Sequence, residues 1–154
     1  MSRKTADTSR IRALAEKAGV PLTDAVLKAL KKGTERGEPP VTLFAACPNS
    51  EAVARAAIRA AGRAEAPIKF AATLNQVDLD GGYTRWTQAG FMELVRKEVD
   101  SSGFTGPVIV ALDHGGPWLK DKQSIEGWPY EKAMEGVKES LRACIDAGYD
   151  LLHI

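Results

Sequence analysis

Three observations predict an α/β protein built on a parallel sheet. Beyond residue 40, short apolar runs alternate with stretches of helical periodicity, which is the pattern of successive βα units. The turn after the first run, ACPNS, is not the glycine-rich phosphate loop that opens a dinucleotide-binding unit. The residues able to carry chemistry follow the second and third runs instead, where the active face of a (β/α)8 barrel collects them. The order βαβαβαβ over 39–154 therefore reads as roughly the first half of a TIM-barrel-type domain, preceded by an N-terminal helical arm over 1–38.

The arm holds two predicted helices. IRALAEKAG takes Ser9 as its cap, and a second helix from Thr23 to about Lys32 turns Val26, Leu27 and Leu30 inward. Gly33 to Pro40 link it to the first predicted strand, VTLFAAC, residues 41–47. A helix capped by Asn49 or Ser50 follows, with Val53, Ala57, Ile58 and Ala61 on its buried face. The second strand is IKFAATLNQV, residues 68–77. Its turn-rich loop leads to a helix that Thr87 caps and whose buried stripe is Phe91, Leu94, Val95 and Val99.

The third strand is VIVAL, residues 108–112, followed by a long loop to Pro129. Proline suits the first turn of a helix, where its missing N–H costs nothing. Met134, Val137, Leu141, Cys144 and Ile145 form that helix's apolar face, Gly148 ends it, and YDLLHI is a fourth strand.

Composition excludes several classes of function. A hydrophobic share of 44% with 27% charged residues is that of an ordinary globular domain, and a net charge of +1 gives no global pull toward nucleic acid or an anionic membrane. Residues 1–40 carry nine Lys or Arg against five acids. We read this as a solvated helical face, and the arm as an element covering the sheet rather than a helix-turn-helix. No apolar run reaches the roughly 18 residues of a membrane span, and MSRKTADTSR lacks a signal peptide's apolar core. The expectation is a cytoplasmic protein whose two cysteines, Cys47 and Cys144, are buried free thiols.

Asp113 and His114 end the third strand side by side, before Gly115-Gly116-Pro117. In a regular strand their side chains diverge, but glycines that turn the backbone would let both face one pocket. There a neutral imidazole binds Zn²⁺ and the carboxylate moves a proton on a substrate. The alternative is that Asp113 caps a turn and His114 packs beneath Trp118. After the second strand, Asn75 and Gln76 offer amides to substrate hydroxyls, the Gly81-Gly82 pair allows close backbone approach to a ligand or its phosphate, and Tyr83 and Thr84 complete the candidate substrate-binding set. A plain surface turn accounts for Asp80-Gly81-Gly82 equally well. Asp78 and Asp80 do not complete a calcium loop. Trp118, Lys120, Asp121 and Lys122 suit a lid or a subunit contact, and His153 reads as a core or rim histidine.

The stretches ACPNSEAVARAAIRAA, ATLNQVDLDGGYTRWTQAGF, VALDHGGPW and AGYDLLHI, in this order and spanning roughly residues 30–154, resemble the class II D-tagatose-1,6-bisphosphate aldolase subunits. The closer resemblance is to the accessory, non-catalytic subunit, sometimes labelled a tagatose-6-phosphate kinase. That resemblance implies a TIM barrel, sugar-phosphate metabolism and partnership with a catalytic class II aldolase subunit. In the related catalytic enzymes the matching pair has defined roles, which makes Asp113 the acid/base and His114 the Zn²⁺ ligand. An alternative function follows: a metal-dependent sugar-phosphate aldolase or ketose epimerase.

This chain departs from that family in having Ala71 where an acidic residue is usual and GGPWLKDK after His114. A full barrel needs about 250 residues and a catalytic zinc three protein ligands. The expectation is therefore a truncated chain, or a half-barrel completed by a second copy of itself.

Overall fold

The computed structural model describes residues 8–154, with side chains placed from residue 11. Of the N-terminal stretch read as lacking a signal peptide, residues 1–7 lie outside the described residues. Helices α1 (Thr8–Lys17) and α2 (Leu22–Glu35) lead into β1 (Ala45–Ala46), α3 (Glu51–Ala64), β2 (Ile68–Ala72) and α4 (Gln88–Ser102). Then come β3 (Val108–Leu112), α5 (Asp121–Ile125), α6 (Tyr130–Ala147) and β4 (Leu151–Leu152).

The strands lie in the order β1-β2-β3-β4 and every neighbouring pair is parallel. A doubly wound sheet reverses its winding at a switch point, whereas a barrel adds each strand beside the last. The described sheet never reverses, so it is a partial TIM-barrel half, as the sequence predicts.

Register fixes what each face does. Ala46, Phe70 and Val110 are in line across the sheet, as are Ala72, Leu112 and Leu152, and these residues pack under the helices. Ile58 of α3 and Phe91 of α4 are fully buried against Phe70, with Phe91 edge-on to Phe70 at 6.0 Å and stacked on Trp86 at 5.5 Å. Each such side chain contributes roughly 2 kcal/mol of transfer free energy. Arg55 grips Glu98 through two hydrogen bonds of 2.8 and 2.7 Å, locking α3 to α4. These bonds and the Arg55 charge hold the Glu98 carboxyl below its ordinary value.

The opposite face carries Ile109, which Leu22 and Val26 of α2 cover together with Leu43. Arg12 of α1 donates to the Val108 carbonyl at 2.8 Å and pairs with Asp150 at 3.3 Å, tying the arm to the starts of β3 and β4.

The predicted caps hold in two places: Ser50 accepts from the Val53 N–H and Thr87 from the Gly90 N–H. Gly148, at φ +87°, ends α6 as predicted. The cap predicted at Ser9 falls within α1 (Thr8–Lys17), where the side chain lies outside the described residues. Three residues placed on buried faces are exposed: Val53, Leu27 and Ile145. In α6 the buried stripe is Ala133, Val137, Ser140 and Cys144, a spacing that leaves Ile145 one step around the helix. In α3, Ala54 occupies the place given to Val53.

The first apolar run forms only two residues of ladder. It pairs on one side alone among the described residues, and Val41 and Phe44 stay exposed. The second run stops at Ala72, because the Thr73 carbonyl accepts from the N–H groups of both Gln76 and Val77 and curls the chain into a turn. Helix α5, inside the long third loop, is absent from the sequence reading. Cys144 is buried as expected, but Cys47 is exposed. Among the described residues no helix is long and apolar enough to cross a membrane.

Candidate functional site

The C-terminal ends of β3 and β4 bring together three side chains. Asp113 still belongs to the ladder, its N–H donating to the Ala72 carbonyl at 2.9 Å. His114 takes the left-handed turn itself, at φ +55°. The sequence reading assigned that turn to Gly115 and Gly116, and neither has positive φ. Gly115 is needed for close approach instead: a Cβ there would lie 2.5 Å from Leu112 and 3.1 Å from the His153 carbonyl oxygen, which accepts the Gly115 N–H at 2.8 Å. A non-glycine residue held in the left-handed region stores strain of about 1 to 3 kcal/mol, and such residues cluster at functional sites.

The turn swings His114 toward β4, not beneath Trp118. Its ring lies 5.3 Å from the His153 ring, tilted by 59°. Asp113 sits between the two: its Oδ1 meets His153 Nδ1 at 2.9 Å, and its Oδ2 is 3.6 Å from His114 Nε2. All three side chains keep solvent access, Asp113 least at 29%. His153 is a rim histidine, but one engaged with Asp113, a partnership invisible in sequence because 40 residues separate them.

The loop after β2 is built differently. Gln76 is buried, its carbonyl accepting the Thr73 N–H at 3.0 Å and its amide donating to the Pro48 carbonyl at 3.3 Å. The Thr84 hydroxyl donates to the Gln76 backbone oxygen at 2.6 Å. Asn75 reaches the third loop, accepting the Asp121 N–H at 2.9 Å and donating to the Asp121 carboxylate at 3.0 Å. Gly81 and Gly82 have positive φ, and a Cβ on Gly82 would lie 2.4 Å from the Gln76 oxygen. Tyr83 alone of this set presents an exposed side chain, at 62%.

Beneath these loops Asp78 is almost fully buried. It accepts from Gln88 of α4 at 3.0 Å, Ser140 of α6 at 2.7 Å and Lys120 of the third loop at 2.5 Å. Lys120 also reaches Asp80 at 2.8 Å. The loop that sequence offers to solvent is thus clamped from below. Burial alone would raise the Asp80 carboxyl, but hydrogen bonds from Lys120 and the Gly82 N–H, with the Lys120 charge, bring it below its ordinary value. Burial likewise opposes the Lys120 charge, yet bonds to Asp78 and Asp80 hold its pKa above the ordinary one. Nearby, burial with the Asp78 charge pushes the Cys144 thiol up to about 12, which disfavours the thiolate a nucleophile needs, and burial beside Cys144 and Asp78 raises the Tyr149 hydroxyl as well.

Above the clamp, Trp118 is held at φ +59°, its indole N–H donating to the Trp128 carbonyl and its ring 5.8 Å from Tyr130. Trp118, Leu119, Ile125 and Tyr130 are all exposed on this loop and the start of α6.

Among the described residues no group of three or more His, Cys, Asp and Glu side chains is placed to hold a metal ion. Asp113 meets the two imidazoles on different oxygens, so the three are turned toward one another. The described residues do not by themselves fit the three-ligand site of a catalytic zinc.

Residues 27–154 match the family described as D-tagatose-1,6-bisphosphate aldolase subunit GatZ/KbaZ-like. The chain belongs to this family. A solved structure with this GatZ/KbaZ-like fold, a probable tagatose 6 phosphate kinase from Sinorhizobium meliloti 1021, is 31% identical with a TM-score of 0.62. That similarity covers 73% of this chain and 28% of the other, so the chain spans well under half the length of the protein it matches.

Proposed function

We propose that the chain serves as an accessory-type subunit of a class II tagatose-bisphosphate aldolase in sugar-phosphate metabolism. The observation that carries this reading is membership of the GatZ/KbaZ-like family over residues 27–154. The partner is a catalytic class II aldolase subunit, or a second copy of this chain, in the cytoplasm. The exposed apolar side chains of Trp118, Leu119, Ile125 and Tyr130, on a loop clamped into one shape, support a role in subunit contact. Within the site, Asn75, Gln76, Thr84 and the Gly81-Gly82 turn set the loop's shape, and Tyr83 is the group left to meet a sugar phosphate.

Size-exclusion chromatography with a purified catalytic subunit tests this reading. Co-elution that Ile125→Asp weakens is expected. Separate elution at all concentrations would overturn it.

The convergence of Asp113 with His114 favours a second reading, a metal-dependent aldolase or ketose epimerase. In it Asp113 moves a proton on a substrate hydroxyl, His114 is one ligand of Zn²⁺, and another chain supplies the remaining ligands. Metal analysis of the assembled complex decides this: zinc content that falls in His114→Ala supports it, and zinc content unchanged by that substitution contradicts it.

A further inference from the structure

We propose that a second copy of this chain closes the half-barrel, the β4 and α6 edge of each copy docking on the β1 and α3 edge of the other. Among the described residues both ends of the sheet are open, β1 pairing only with β2 and β4 only with β3. Every pair is parallel, so β4 of one copy can carry the ladder on to β1 of the other. Two such sheets make the eight strands of a closed barrel and leave no edge exposed.

Helix α3 is built to be covered on the side of that open edge. Arg55 and Gly62 mark its flank toward α4: Arg55 bonds Glu98, and a Cβ on Gly62 would lie 3.5 Å from the Phe104 ring. At 3.6 residues per turn the opposite flank is Val53, Ala57, Ala60 and Ala64, which holds no polar or charged side chain. Of these Val53, Ala60 and Ala64 are exposed. Phe44 shares with buried Ala46 the face of β1 that α3 covers, yet it is 62% exposed. Small side chains on a helix beside an open apolar strand form a groove for a helix with larger ones.

The β4 edge supplies that helix. Ala147 marks the flank of α6 toward α4, in the cluster that holds Met92 and Val95. Across the buried stripe of Val137 and Cys144 the other flank carries Met134, Leu141 and Ile145, spaced i, i+7 and i+11. Leu141 packs with Leu152 of β4, and Ile145 is 63% exposed. Exposed area agrees with a missing partner. The chain exposes 9349 Å², where a compact protein of this length exposes roughly 7,600 Å². The excess is larger than the roughly 800 Å² that one partner gives up in a standard interface.

Native mass spectrometry and sedimentation of the purified chain test the proposal, with one variant on each edge at an exposed position: Ala60→Arg on α3 and Ile145→Asp on α6. The wild type should be a dimer at micromolar concentration. Each variant alone should be monomeric there, its dissociation constant raised roughly 100-fold because both junctions bury an unpaired charge. Mixed in equal amounts, the two variants should recover a heterodimer. One of its junctions is then wild type on both sides, and the other sets the two opposite new charges together.

Far-ultraviolet circular dichroism like that of the wild type will show that a lost dimer is not a lost fold, and Ala64→Arg on the same flank replaces Ala60→Arg if that variant unfolds. A wild-type monomer at every concentration, a dimer indifferent to both variants, or variants that stay monomeric when mixed would overturn the proposal. A series of trimers and longer chains would overturn it too, since a head-to-tail contact that fails to close runs on as a filament. Ile125→Asp, on the third loop, should leave this dimer intact, so the self-association and the binding of a catalytic subunit fail separately.

Discussion

Two loops at the same end of the sheet carry similar sequence signals and spend them in opposite ways. The loop after β2, with Asn75, Gln76, Asp78 and Thr84, gives nearly all its polar side-chain groups to the protein: to Thr73, Pro48, the Gln76 oxygen, Asp121, Ser140 and Lys120. The ends of β3 and β4 keep Asp113, His114 and His153 at the rim, where among the described residues their side chains meet one another and stay partly exposed. A polar residue at a strand end is therefore not in itself a ligand group. What separates the two regions is burial: Asp78 and Gln76 are buried and had to be satisfied internally, whereas Asp113 was not.

Stability measurements can break this contrast. The largest effect is expected from Asp78→Ala, which strips Lys120 of its buried partner and leaves Gln88 and Ser140 without an acceptor. Removing one member of a buried ion pair costs about 3 to 5 kcal/mol, so the urea midpoint should fall far below that of the wild type. Gly82→Ala comes next, at about 2 to 3 kcal/mol, since a Cβ there meets two carbonyl oxygens in a left-handed conformation. Asn75→Ala should cost about 1 kcal/mol and loosen the third loop, which hydrogen exchange at the Asp121 amide would report.

The clamp also has a pH signature. The Asp80 carboxyl is depressed in the fold, so its contribution is present above about pH 4 and is lost as pH falls through the depressed value. Lys120 is raised, so its contribution is intact below about pH 10 and is lost only as pH climbs through the raised value. Asp80→Asn should flatten the acid limb of a urea-midpoint profile and leave the neutral region the least changed in shape. The smallest effect on stability is expected at the rim. Asp113→Ala should shift unfolding by no more than about 0.5 kcal/mol, as for other surface positions. A loss comparable to that of Asp78→Ala would erase the distinction between the two regions.

Much of the fold was legible in the sequence because apolar spacing reports burial. The β3 run, the Phe91-Leu94-Val95 stripe, the caps at Ser50 and Thr87 and the stop at Gly148 all follow from local rules. What failed was non-local. The run at 41–47 is apolar enough for a longer strand, but ladder length depends on a partner, and only Ala45–Ala46 pair. The end of β2 at Ala72 is set by the Gln76 side chain reaching back to the Thr73 N–H, which periodicity cannot register.

In the site, the adjacency of Asp113 and His114 was readable, and so was the strand end that presents them. That His114 rather than a glycine takes the positive φ, that His153 grips Asp113, and that Lys120 turns inward to Asp78 all depend on contacts across 40 residues or more, or on strain that another strand imposes.

The claim that this GatZ/KbaZ-like chain supports a class II aldolase is tested most directly by the heat inactivation of a catalytic tagatose-bisphosphate aldolase subunit, followed by its cleavage activity with and without this chain. A longer half-life in the presence of the chain, shortened again by Ile125→Asp, is the predicted result. An identical half-life with and without the chain would contradict the account.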